Sequence, residues 1–371
     1  MNVLYISKAL VVAAYRDKLR SLSAHVRVKG IIPDRWGRDG YEPILGGGAD
    51  VQPWPVRFHG HNHLHLYRSV TRLIENSRAD VVHIDEEPYS AVTWQLARAC
   101  HRHGVPSLFF AWQNLDKRLP PPFGAIRGYV FRHAAGGIAG TEAAAEVLRN
   151  AGYTGRLAVI PQMGVDAGRF RPDPAAKLAL RRRLGGTGDE IVIGYGGRLV
   201  PEKGVHLLIR ALAGLPDVRL LILGDGPERH RLEEQAVVEG VEKRVIFTGL
   251  VASTEMPRWL AALDVLALPT VGRPGWTEQF GRILIEAMSC GVAVIGSRNG
   301  EIPHVIGEAG VAVEPGDEQA LTEALRVLVG NAELRMLLGE RARTRALERF
   351  TNDRIAADTA RFYRSIIGRS A

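Results

Sequence analysis

The sequence predicts an α/β protein of two doubly wound domains, each built around a parallel sheet. Three observations predict it. Short apolar runs alternate with helical patterns along the whole chain, as repeated βα units require. A proline- and glycine-marked segment, Pro161-Gln162-Met163-Gly164-Val165-Asp166 followed by Phe170 and Pro172, divides that alternation near residue 165. A length of 371 residues with 46% hydrophobic and 24% charged content is enough for two separate cores and excludes a disordered or fibrous chain.

In the first half, Asn2 to Ile6 reads as a strand, followed by a helical pattern through Tyr15, Leu19, Leu22 and Val26 and a second strand from Val26 to Pro33. Arg16, Lys18, Arg20, Arg27 and Lys29 make this region basic, which fits either an interfacial helix or the solvated face of a core-packed one. His59, His61, His63 and His65 alternate; on a strand they would share a face and suit a metal, and as loop residues they would line a binding edge, the reading preferred here. Asp80 to Ile84 is a buried strand that delivers Asp85, Glu86 and Glu87 to its carboxyl end, where open parallel sheets bind ligands. These acids fit hydroxyl binding or the capping of a helix from Tyr89 to Cys100. Val105 to Ala111 brings Trp112, Gln113 and Asn114 to the same edge. A helix from Arg127 to His133, a strand from Gly137 to Ala139, a helix from Glu142 to Asn150 capped by Thr141, and a strand from Leu157 to Ile160 complete this half.

The second half opens with a helix from Lys177 to Leu184 and a strand from Ile191 to Tyr195. Gly196 and Gly197 let the backbone approach a ligand, and Arg198 and Lys203 add positive charge that suits a diphosphate. The strand Val218 to Leu223 ends in the turn Gly224-Asp225-Gly226-Pro227, and the strand Val245 to Thr248 leads into Gly249-Leu250-Val251. A strand from Leu263 to Pro269 and a loop from Val271 to Trp276 precede Thr277-Glu278-Gln279-Phe280-Gly281-Arg282-Ile283-Leu284-Ile285-Glu286-Ala287-Met288. A helix beginning near Gly281, with Gly291 as its left-handed cap, aims its free N–H groups at the loop carrying Glu278. Glu286, about a turn and a half further on, can accept two hydroxyl hydrogens from a ribose. The alternative is two solvated glutamates. The strand Val292 to Ile295 and the loop Asn299-Gly300-Glu301-Ile302-Pro303 follow, with helices to Ile367.

The formal charge of +8 points to an anionic membrane or to an arginine-rich composition with no partner behind it. Nucleic acid is not expected, because no basic helix with interleaved aromatics occurs. No run approaches the roughly eighteen apolar residues of a membrane span. The start lacks a basic leader and a cleavage site, so cytoplasmic residence is expected, extending to the inner face of the cell membrane. Two cysteines, Cys100 and Cys290, are too few for a disulfide framework or a zinc site.

Together, Gly194-Tyr195-Gly196-Gly197-Arg198-Leu199-Val200-Pro201-Glu202-Lys203-Gly204, the Glu278 to Glu286 stretch and Gly296 to Pro303 resemble the retaining nucleotide-sugar glycosyltransferases of family 4. The resemblance is dense from about Gly194 to Pro315. It implies the GT-B fold, two Rossmann-like domains facing each other across a cleft: residues 1–165, completed by the last helix 353–371, for the acceptor, and 166–352 for the donor. It implies that Arg198 and Lys203 stabilise the diphosphate, that Glu278 binds sugar hydroxyls, and that Glu286 holds the ribose. Gln279, Phe280 and Gly281 supply N–H groups, and Gly196, Gly197, Gly224, Leu250, Val251 and Arg282 line the donor site. His63, Glu86, Gln113 and Asn114 fall on the acceptor side.

No cofactor and no metal are expected, in keeping with the absence of a D-x-D motif; the nucleotide sugar, a UDP- or GDP-sugar, is the co-substrate. The acceptor is expected to be a hydroxyl of a glycan, glycolipid or small molecule in bacterial surface polysaccharide or glycolipid synthesis. Two departures stand out. Ser7-Lys8-Ala9-Leu10-Val11-Val12 replaces the family's glycine-rich turn, with Lys8 as a substitute contact, and no histidine stands near Gln113. An inactive nucleotide-sugar-binding scaffold and a GT-B epimerase or phosphorylase are the rival readings.

Overall fold

In the computed structural model, which describes residues 1–37, 49–184 and 190–368, the apolar runs form two parallel sheets. The chain divides into two compact units, Met1–Gly164 with Asn352–Ala371, and Val165–Thr351.

The first unit contains β1 (Asn2–Ile6), β2 (Arg27–Pro33), β3 (Val51–Trp54), β4 (Val56–Arg57), β5 (Leu66–Tyr67), β6 (Val81–Ile84), β7 (Ser107–Ala111), β8 (Gly136–Ala139) and β9 (Leu157–Val159). Seven of these build a sheet in the order β3-β2-β1-β6-β7-β8-β9, and β4 pairs with β5 as a small antiparallel hairpin. β1, β6 and β7 are buried on both faces, which is why they read as continuous apolar runs. The last helix, Asn352–Ile367, lays Ala356, Ala360, Tyr363 and Ile366 against Leu19, Leu22, Val3 and Tyr5 in the core of this unit.

The second unit contains β10 (Ile191–Gly196), β11 (Val218–Leu223), β12 (Val245–Gly249), β13 (Val265–Leu268), β14 (Ala293–Ser297) and β15 (Val311–Val313), in the order β12-β11-β10-β13-β14-β15. Strand order therefore reverses between β1 and β6 in one sheet and between β10 and β13 in the other. Such switch points open a crevice at the carboxyl ends of the strands. The helix that follows the Glu278 segment spans Arg282–Ser289, with Gly281 as a left-handed N-cap at φ 74° and Gly291 left-handed after its end.

Several expectations are corrected. Arg16 is not on an interfacial face: it is buried, and its guanidinium donates to the carbonyl oxygens of Leu10 and Val11 at 2.8 and 3.1 Å. The cause is the pair of 3-10 turns, Ala9–Val11 and Ala13–Arg16, which leave carbonyls for Arg16 to satisfy. Lys18 turns inward to Asp85 at 2.8 Å, and the helix Asp17–Ser23 keeps Arg20 outside, paired with Asp17. The four histidines lie in the turn between β4 and β5, where Phe58 and Gly60 have positive φ, so the preferred loop placement holds and only the strand alternative is set aside. The helix after β5 spans Val70–Ser77. Asp85, Glu86 and Glu87 do not cap the next helix, whose N-cap is Ser90 without a side-chain bond. β3 and the helix Met256–Ala261 have no counterpart in the sequence reading, since Pro53 and Pro257 mask them.

Candidate functional site

At the switch point of the second sheet, the loops after β10, β11, β12 and β13 enclose a cavity of about 380 Å³. Its wall includes Gly196, Gly197, Arg198, Lys203, Gly224, Leu250, Val251, Glu278, Gly281 and Arg282. Leu223, Asp225, Met256, Leu268 and Ile283 also line it. Asp225 was visible as part of the turn after β11, whereas nothing in the spacing marks Met256.

Two close backbone approaches shape this wall. Gly197 and Gly224 have φ of 150° and 149°, and a Cβ on Gly224 would lie 1.9 Å from the Gly197 carbonyl oxygen. Gly224→Ala is accordingly expected to destabilise the second unit by about 1–3 kcal/mol, read as a lowered denaturation midpoint; an unchanged midpoint would show that the two loops part freely. Gly300, at φ 56°, lies against the backbone of Glu278, where a Cβ would meet the Glu278 carbonyl oxygen at 1.9 Å. Asn299 accepts the Glu278 N–H at 2.9 Å, and the Glu301 N–H donates to the Glu278 carbonyl at 3.1 Å. The Asn299 to Pro303 segment thus fixes the loop that carries Glu278.

Glu278 is buried and forms an ion pair with Lys203, and the Lys203 ammonium stands 5.3 Å from the centroid of the Trp276 ring. Arg198 is exposed. Glu286, Gln279 and Phe280 do not reach the cavity wall. Glu286 is buried one turn along the helix and paired with Arg282 at 2.8 Å; burial raises its carboxyl pKa against the pull of that arginine. Gln279 is exposed, and Phe280 packs edge-on against Phe350 with centroids 5.9 Å apart.

At the switch point of the first sheet, Asp85 accepts from Ser7 Oγ at 2.7 Å, Lys18 Nζ at 2.8 Å and Gln162 Nε2 at 2.9 Å. Burial alone would raise its pKa, but Lys18 and the donors around it hold the carboxyl well below the usual range. Glu86 is gripped by both the backbone N–H and the ammonium of Lys8, so Lys8 is committed to that carboxylate. Burial still pushes Glu86 up to about 7. Glu87, also raised to about 7 by burial, accepts the N–H groups of Trp112 and Gln113 at 2.8 and 3.0 Å. The Gln113 side chain is used locally, donating to the Leu115 carbonyl at 2.8 Å, and Asn114 is half-buried. His63 Nδ1 is 3.0 Å from Ser90 Oγ. His65 is fully buried, 3.9 Å from Glu86. Among the described residues no His, Cys, Asp and Glu cluster is arranged to hold a metal ion, and no helix is long and apolar enough to cross a membrane.

These groups give the first unit opposing pH dependences. His65 and His83 have their pKa lowered by burial to about 4, so the unfolded chain binds more protons and their contribution is lost as pH falls from 6.5 towards 4. Glu86 and Glu87 are raised from 4.5 to about 7, so the folded chain binds more protons and their contribution is lost as pH rises through that window. In Glu86→Gln one falling component disappears. Its unfolding midpoint is expected to climb more steeply than the wild type's between pH 5 and 7, and parallel slopes would contradict the assignment.

Comparison with known proteins bears on both units. Residues 177–345 match the family model described as glycosyl transferases group 1, and residues 9–162 match the glycosyl transferase 4-like domain. The chain is 38% identical over 193 residues to a GDP-mannose-dependent alpha-(1-6)-phosphatidylinositol monomannoside mannosyltransferase of Mycolicibacterium smegmatis, covering 50% of each. It is 31% identical over 319 residues to a D-inositol 3-phosphate glycosyltransferase of Stackebrandtia nassauensis, covering 79% of this chain and 69% of that protein. Against the mannosyltransferases it resembles, the chain spans about half of their length. Among solved structures, sucrose-phosphate synthase from Thermosynechococcus elongatus superposes with a TM-score of 0.75 at 19% identity over 99% of each chain. HepE of Anabaena, crystallised with UDP, superposes with a TM-score of 0.76 at 22% identity over 98% of this chain and 100% of that one. Both likenesses are likenesses of fold.

Proposed function

The chain belongs to the group 1 glycosyl transferases and has the GT-B fold, and on that premise we propose that it transfers a sugar from a nucleotide diphosphate sugar to a hydroxyl acceptor. Transfer proceeds with retention at the anomeric carbon and without a metal. The observation that carries this reading is the meeting of Arg198, Lys203 and Glu278 around one cavity at the switch point of the second sheet.

In this proposal Arg198 and Lys203 compensate the charge that grows on the diphosphate as the sugar leaves. Donor binding separates the Lys203–Glu278 pair: the ammonium goes to the phosphates and the carboxylate accepts sugar hydroxyls. Glu286 acts on the ribose through Arg282, which it holds at the cavity wall, and the N–H group of Gly281 completes the sugar site. The acceptor oxygen attacks the anomeric carbon from the face the phosphate is leaving. The bond to the phosphate oxygen breaks with its electron pair, and the acceptor proton passes to that oxygen.

Acceptor hydroxyls are assigned to the first unit, at the edge bearing His63, Glu86, Gln113 and Asn114. The names of the curated relatives favour GDP-mannose as the first donor to test, with UDP-sugars next, and an inositol-bearing polyol or glycolipid as the acceptor. Such a product belongs to surface glycolipid or polysaccharide synthesis, at the cytoplasmic face of a membrane.

The test is incubation with GDP-mannose or UDP-glucose and an inositol glycoside, with the product's anomeric configuration read by NMR. An α-linked product from the α-linked donor is expected. A β-linked product would overturn retention, and sugar 1-phosphate formed only with added phosphate would make the protein a phosphorylase.

A further inference from the structure

Lys203 is held by more than its carboxylate partner. Trp276, half-buried, closes a tight turn in which its N–H donates to the Arg273 carbonyl at 3.0 Å, flanked by left-handed Gly272 and Gly275. Two contacts tie this turn to the 3-10 segment Pro201–Lys203. The Val271 N–H donates to the Glu202 carbonyl at 3.0 Å, and the Arg273 guanidinium stands 3.5 Å from the buried Glu202 carboxylate. The turn bearing the ring and the turn bearing the lysine are therefore fixed to each other, and the 5.3 Å separation of ammonium and ring centroid follows from that scaffold.

We propose that Trp276 is the positioning residue for Lys203: its ring keeps the ammonium over the donor cavity by a cation–π contact when Glu278 gives the lysine up to bind the sugar. This rests on the reading of Lys203 as a diphosphate-binding group. Lys203 and Glu278 neutralise each other, and a ligand carrying phosphates and hydroxyls competes for both. A lysine stem is flexible and its ammonium strongly hydrated, so without a second contact it would swing to water once Glu278 is occupied. An indole face offers that contact while donating no hydrogen bond that would compete with the phosphate.

The test titrates GDP, UDP and their mannose and glucose conjugates into wild type, Trp276→Leu, Trp276→Phe and Lys203→Ala, with melting temperatures confirming that each variant is folded. Whichever nucleotide the wild type binds is expected to bind Trp276→Leu about 3–30-fold more weakly, a cation–π contact's worth, and Trp276→Phe within about 3-fold of wild type. In the Lys203→Ala background, Trp276→Leu is expected to cause no further loss. Equal loss in the leucine and phenylalanine variants, or an undiminished loss when Lys203 is already absent, would reduce Trp276 to a packing residue and overturn the inference. If Lys203→Ala alone binds as well as wild type, or the wild type binds none of the probes, the functional reading falls first and the inference with it.

Discussion

Lys203→Ala is expected to lower kcat/KM for sugar transfer by about 10²–10³-fold and to weaken nucleoside diphosphate binding. The magnitude is that of removing one preorganised charge from the place where negative charge develops, about 3–4 kcal/mol. Lys203 suits this role because its ammonium already lines the cavity between a carboxylate and an aromatic face. Lys203→Arg is expected to recover little, since a planar guanidinium does not substitute for a compact ammonium in a gap shaped by Glu278 and Trp276. Calorimetry with the diphosphate and steady-state kinetics with the full donor check both halves, and wild-type values in the alanine variant would remove Lys203 from the site.

The second large effect concerns Glu278. Glu278→Ala is expected to lower transfer by about 10²-fold or more, while nucleoside diphosphate affinity stays within a few-fold of wild type. A carboxylate that reads sugar hydroxyls contributes nothing to a ligand without the sugar, and its removal frees Lys203 for the phosphates. The telling quantity is the ratio of sugar-nucleotide to nucleotide affinity, which is expected to collapse towards one. If both ligands lose affinity equally, Glu278 belongs to the nucleotide.

Much of the second unit was legible because its chemistry is local. Gly197-Arg198 follows β10 directly and Glu278 follows β13 within one loop, so the strand pattern alone sets them at the same sheet edge. Glu286 was harder. Spacing along a helix tells which turn a side chain occupies, but it does not reveal that Arg282, four residues away on the same face, takes the carboxylate and presents itself to the cavity instead. In the first unit the decisive contacts are long-range: Lys8 with Glu86 and Ser7 with Asp85 are each 78 residues apart, and no periodicity encodes them. Arg16 shows the same limit for charge. Composition registers a cation, and only the two 3-10 turns before the helix show that it satisfies carbonyls inside the core.

The central claim is that the cavity at the β10/β13 switch point receives a nucleotide diphosphate sugar. A melting-temperature series with UDP, GDP, ADP and their common sugar conjugates tests it most directly, because a ligand bound only by the folded chain raises the midpoint as its concentration rises above Kd. One base is expected to give a concentration-dependent rise, larger for the sugar conjugate than for the bare diphosphate. No rise with any of them, at concentrations well into the millimolar range, would contradict the donor assignment and leave the protein a scaffold built on a transferase fold.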